Sequence, residues 1–141
     1  MASQLDENNQ EKKSEMAQSM ESLIESLLKC DAVKFGEFVL KSGIKSPIYI
    51  DIRTVFSIHS LMRSIADQIC NLIQDKKLVY DHIVGVPYGA LPFATQVCVT
   101  LNRPLLLYRK EIKKHGLAKR IEGVYRKGDK VLVIEDVVTS G

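Results

Sequence analysis

A chain of 141 residues with 45% hydrophobic composition is long enough for one domain with a continuous core, since domains commonly run to about 100–200 residues. Its charged fraction is 26% and its formal net charge +3, so no overall field points to nucleic acid or an anionic membrane as the main partner. Any basic function must be local.

From Met1 to about Ser19 the sequence is Gln, Asn, Glu, Lys and Ser with little that could be buried, and a disordered tail is expected because its ordering entropy would go uncompensated. Met20, Leu23, Ile24, Leu27 and Leu28 then recur at helical spacing, with Glu21 and Glu25 where the helix dipole favours acid. This predicts a short amphipathic helix. Two β-branched and aromatic runs, Val33 to Leu40 and Pro47 to Ile52, are separated by Lys41-Ser42-Gly43-Ile44-Lys45-Ser46, whose turn chemistry predicts a hairpin.

Ile58, Leu61, Met62, Ile65, Ala66, Ile69 and Ile73 repeat at threes and fours, predicting a second helix that stops near Asp75. Short apolar strands follow at His82 to Val86, Pro104 to Tyr108 and Val131 to Ile134, with a helix from about Ala90 to Thr100 between the first two. Helix alternating with fully apolar strand predicts an α/β fold whose parallel sheet is flanked by helices. No apolar run nears the ~20 residues of a membrane span, and no hydrophobic signal segment opens the chain. Cys30, Cys70 and Cys98 are far apart and form no C-x-x-C pair, which favours reduced core residues over disulfides or zinc. A reducing, cytoplasmic setting is the simplest expectation.

Chemistry concentrates in three segments. In Val131-Leu132-Val133-Ile134-Glu135-Asp136-Val137-Val138-Thr139-Ser140-Gly141, an apolar strand ends in two carboxylates and a turn of small and hydroxyl residues. Ligands bind at that end of a parallel strand. The turn Val137 to Gly141 suits backbone N–H groups converging on a phosphate, while Glu135 and Asp136 can accept from vicinal sugar hydroxyls or meet a hydrated Mg²⁺. Next, Tyr108 to Gly116 gathers Arg109, Lys110, Lys113, Lys114 and His115 where the sheet should open. Such a loop could neutralise a departing pyrophosphate, although a solvated cationic loop or a nucleic-acid patch with Lys119, Arg120 and Arg126 are its competitors. Interleaved aromatics that would stack bases are missing, which weighs against RNA. The third segment is Leu40-Lys41-Ser42-Gly43 with Ser46-Pro47-Ile48-Tyr49-Ile50-Asp51, in which Lys41 taken alone is an exposed turn lysine and Tyr49 a strand residue packed in the core. His59 and His82 match no motif and are assigned no role.

The acidic strand end followed by Val-Val-Thr-Ser-Gly resembles the fingerprint of type I phosphoribosyltransferases, which use phosphoribosyl pyrophosphate (PRPP). Together with the Lys41 hairpin and Arg109 to Gly116, the chain from about Asp31 to Gly141 resembles orotate phosphoribosyltransferase, in the form that opens the bifunctional eukaryotic UMP synthases. The resemblance implies the type I fold with an N-terminal hairpin and transfer of ribose 5-phosphate from PRPP to orotate. It also implies Mg²⁺ bound mainly through PRPP, and a homodimer in which the basic loop of one subunit reaches its partner's site. Residue by residue, it puts Lys41, Tyr49 and Ile50 at orotate, and Tyr88 and Gly89 of Gly85-Val86-Pro87-Tyr88-Gly89-Ala90 at the pyrophosphate. Arg109, Lys110, Lys113 and His115 fall on the leaving group, Lys113 and His115 as its catalytic contacts. Glu135, Asp136, Val137, Val138, Thr139, Ser140 and Gly141 fall on the ribose 5-phosphate, with Thr139 also where the loop meets orotate. Bacterial members place a lysine at the position of Gly89. In the family the phosphate loop continues beyond the position of Gly141 into a helix and further strands, so the resemblance implies a partial domain whose activity alone is doubtful. A non-catalytic protein of the same fold, or a transferase for another base, are the alternatives.

Overall fold

The computed structural model describes residues 19–40, 42–111 and 119–138. A first helix, α1, covers residues 19–29. Ser19, assigned to the tail on sequence, is its first turn instead, and its hydroxyl accepts from Gln68 Nε2 at 3.3 Å. The rest of the polar segment lies outside the described residues.

Strands β1 (Val33–Val39) and β2 (Lys45–Ile50) form the antiparallel hairpin, with a register shift between Phe35 and Phe38. The second strand begins earlier and ends earlier than the sequence suggests, because Asp51 leaves the strand to cap a 3-10 helix, Ile52–Ser57, by accepting from Arg53 N at 3.2 Å. Helix α2 (His59–Asp75) turns Leu61, Ala66, Cys70 and Ile73 inward, the face its periodicity implied.

After β3 (His82–Gly85) come α3 (Leu91–Leu101), β4 (Leu105–Tyr108), the two-residue β5 (Ile121–Glu122) and β6 (Val131–Ile134). The sheet order is β5-β4-β3-β6, with β3 parallel to both β4 and β6. One correction is needed, since β5 pairs antiparallel with β4 and makes the sheet mixed. A two-residue strand has no period to read.

The core lies on one face of the sheet, where Ala66, Cys70 and Ile73 of α2 and Ala94, Val97 and Cys98 of α3 meet Ile83 and Ile134. Ile83 and Val97 are fully buried, each worth about 1.5–3 kcal/mol relative to exposure. A smaller cluster, with Leu23, Val55, Leu61 and Phe93, seats α1. On the opposite face of β6, Val131 and Val133 are 45% and 58% exposed. Burial pushes the Cys70 thiol up and the Cys98 thiol up to about 11, so both are core residues as their apolar settings suggested.

At the far end of the sheet His82, which is buried, meets Asp129 Oδ2 through Nε2 at 2.8 Å, and the same carboxylate oxygen accepts from Arg126 N at 2.7 Å. The turn before β6 is thereby tied to the start of β3. Its Nδ1 has no partner among the described residues. Replacing His82 with alanine is expected to lower unfolding free energy by about 2–3 kcal/mol in urea denaturation. The same change at exposed His59 should stay within about 0.5 kcal/mol.

Candidate functional site

Register decides where the polar segments gather. Gly85 aligns with Ile134 on one side and with Leu107 on the other, so β3, β4 and β6 end at nearly one level. The chain runs from β3 through α3 to β4 on one side, then crosses to β6 on the other. The crevice between the ends of β3 and β6 is therefore the switch point at which open α/β sheets bind ligands.

Two segments meet there. Val86 N donates to Ile134 O at 2.9 Å, which sets the turn after β3 beside Glu135 and Asp136. A Cβ built on Gly89 would lie 2.1 Å from Asp136 Oδ2, so the Asp136 carboxylate rests against the bare backbone of that turn. No side chain could be added at this position without moving Asp136. Gly85 has a separate reason to lack a side chain: its Cβ would meet Ala94 Cβ at 2.8 Å and Ala90 O at 2.9 Å. It lets α3 press its first turn onto β3, and the N-cap residue Ala90 makes no side-chain cap. The Pro87–Tyr88 peptide is cis. Glu135 is exposed and Asp136 half-buried, and Val137 and Val138 are exposed beyond them.

The cationic side comes from the end of β4. Lys110 Nζ stands 5.0 Å over the ring of Tyr88, a cation–π contact that joins the basic segment to the turn after β3. Arg109 is turned to Glu122 on β5, with Nε 2.6 Å and Nη2 2.5 Å from Oε1. Glu122 was not singled out on sequence. Lys113, His115, Lys41, Thr139, Ser140 and Gly141 lie outside the described residues.

On the hairpin, Tyr49 packs on Phe38 with ring centroids 5.4 Å apart. Ile50 is its strand neighbour and so projects from the other face. Both are partly exposed, at 37% and 49%. Arg53, also missed on sequence, grips Asp51 through Nε at 2.6 Å and Nη2 at 2.8 Å. That bond holds the Asp51 carboxyl below the usual carboxylate range and raises the guanidinium, with Tyr49 and Asp136 adding to the latter. The signal of Arg53 in the sequence was only an arginine two residues after an aspartate, which is common.

Among the described residues no group of three or more His, Cys, Asp or Glu side chains could hold a metal. The donor set, two adjacent carboxylates at a strand end, suits Mg²⁺ brought in by phosphate oxygens, because that ion keeps most of its water and takes few protein ligands. An apolar cavity of about 410 Å³ lies elsewhere, lined by α1 and α2 residues such as Leu23, Leu27, Ile65 and Leu72, and contains none of the polar residues above. No described helix is long and apolar enough to cross a membrane.

Residues 51–141 match the family described as phosphoribosyl transferase domain. Over 117 residues the chain is 49% identical to an orotate phosphoribosyltransferase of Caenorhabditis elegans, covering 83% of this chain and 52% of the relative. Identity is 46% over 120 residues with the uridine 5'-monophosphate synthase of Bos taurus, covering 85% of this chain and 25% of that one. The solved UMP synthase of Leishmania donovani superposes with a TM-score of 0.71 at 39% identity, over 83% of this chain and 25% of the other. The chain thus spans about half the length of the nematode relative and about a quarter of the bovine one.

Proposed function

Because this chain belongs to the phosphoribosyltransferase family, with its similarity running through the orotate phosphoribosyltransferases, we propose that it builds the donor and base sites of an enzyme that joins PRPP and orotate. The products are orotidine 5'-monophosphate and pyrophosphate. The bond from the anomeric carbon to pyrophosphate breaks and one to N1 of orotate forms. One observation carries the reading: an acid pair, a glycine turn and a basic strand end converge on the switch-point crevice, with Asp136 seated on Gly89 and Lys110 over Tyr88.

Each group then has a task set by its chemistry. Glu135 and Asp136 accept from the ribose hydroxyls, which orients the sugar. The N–H groups of Val137, Val138, Thr139, Ser140 and Gly141 receive the 5'-phosphate. Arg109, Lys110, Lys113 and His115 bind the pyrophosphate, and stabilise it most when the bond is breaking and negative charge has built up on it. His115 can deliver a proton to it. Tyr49 and Ile50 border the pyrimidine and Lys41 pairs with its carboxylate. Magnesium, when bound with PRPP, supplies charge neutralisation on pyrophosphate and ribose oxygens, and Glu135 and Asp136 are the residues that would meet its water shell. A cytoplasmic, homodimeric enzyme is part of the same proposal, supported by the free thiols and by the exposed end of the basic strand.

Incubation of a form extended to the length of its relatives with orotate, PRPP and magnesium, followed by the loss of orotate absorbance, tests the reading, and no consumption of orotate by that form would end it. Changing Lys113 to alanine is expected to slow single-turnover product formation by about 100-fold, the scale of losing one donor to a developing charge. An unchanged chemical step would remove the basic loop from the mechanism.

A further inference from the structure

Arg109 leaves β4 at the basic side of the crevice, and its side chain is already held. Leu107 lies opposite Glu122 in the β4–β5 ladder, and Arg109 N continues that ladder by donating to Arg120 O at 2.8 Å. Arg109, two residues beyond Leu107, shares a strand face with it and is the diagonal neighbour of Glu122 across the ladder, within reach of long side chains. The contact uses one edge of the guanidinium, because Nε donates to Oε1 at 2.6 Å and Nη2 lies within ion-pair distance of the same oxygen. A guanidinium has five N–H donors in a fixed plane; the Nε–Nη2 edge is turned to the carboxylate, and the Nη1 donors lie away from that edge. Glu122 also sits beside Gly123, whose φ of +125° and lack of a side chain let the strand end pass close to Leu106 Cδ2, 2.6 Å from a built Cβ.

We propose that Glu122 is a positioning residue for the pyrophosphate site: it pins the Nε–Nη2 edge of Arg109 so that the remaining donors are aimed at the diphosphate. The assignment rests on the donor-site reading above. The Arg109–Glu122 pair is neutral overall, so its contribution is direction, while Lys110 over Tyr88 supplies positive charge that has no ion-pair partner among the described residues. The opposite role, a carboxylate that competes with pyrophosphate for Arg109, makes predictions of the opposite sign.

Calorimetric titration of the whole chain with inorganic pyrophosphate and magnesium separates these. If Glu122 orients Arg109, E122A should weaken binding about tenfold, the scale of one charge-assisted hydrogen bond. E122Q keeps an acceptor oxygen and should stay within about threefold of the parent. In an R109A background, E122A should add less than about twofold. Tighter binding by E122A and E122Q would establish competition and overturn the proposal. So would a loss that persists at full size without Arg109, since the effect would then be general damage to the strand pair. Binding by the parent that ignores Glu122 overturns this assignment alone. No binding by the parent overturns the donor-site reading and this assignment with it.

Discussion

Alanine at Gly85 is expected to destabilise the fold by about 2–4 kcal/mol, at the upper end of the cost of overpacking. The reason is what the new methyl group meets. Ala94 Cβ at 2.8 Å and Ala90 O at 2.9 Å belong to the first turns of α3, and neither can rotate away. Relief requires α3 to move off β3, which opens the cluster that holds Ile83, Ala90, Ala94 and Val97. Gly43 offers a comparison of mechanism: nothing lies within 4 Å of its Cβ position and its φ is +81°, so alanine there pays only for left-handed backbone, about 1 kcal/mol. Urea denaturation of both variants checks the contrast. A Gly85 variant as stable as the parent would mean that the strand and helix are not in the close contact described.

Alanine at Gly89 has the reverse profile. The atom in the way is Asp136 Oδ2, 2.1 Å from the built Cβ, and a half-buried carboxylate can turn to another rotamer. Stability should change by less than about 1 kcal/mol. Orotidine 5'-monophosphate formation, on the function proposed here, should fall about 100-fold, because a carboxylate displaced by about 1 Å no longer holds the sugar in line. The loss should match that of Asp136→Asn in rate and be absent from the melting curve. If Gly89→Ala turns over at the parental rate, Asp136 does not orient the ribose.

Sequence reading recovered those elements whose periods are long enough to count. Helix α2 repeats its apolar residues over four turns or so, and α3, β3 and β6 are bounded by turn residues. Glu135, Asp136 and the glycine turn at 85 to 89 could be placed at strand ends because the neighbouring apolar runs fix the level of the sheet. The end of β2 was misjudged because Ile50 and Ile52 keep strand alternation on both sides of Asp51, while capping of Arg53 N decides the backbone. Strand β5 was invisible for want of length, and with it the partner of Arg109. The contact between Gly89 and Asp136 joins residues 47 positions apart, a closeness that only the crossing from β4 to β6 creates.

The site is built from parts that open at different free energies. Strand β3 is bonded on both sides and carries buried residues throughout, so the turn at Gly89 hangs from the segment that should yield only with global unfolding. The hairpin is a two-stranded ribbon with Phe35, Val39 and Ile44 well exposed, and ribbons of that kind are marginal alone. On the function proposed here, the Gly89 side of the crevice is consequently rigid before anything arrives, whereas the hairpin that would meet the base can settle around its guest and contributes its ordering cost at that moment.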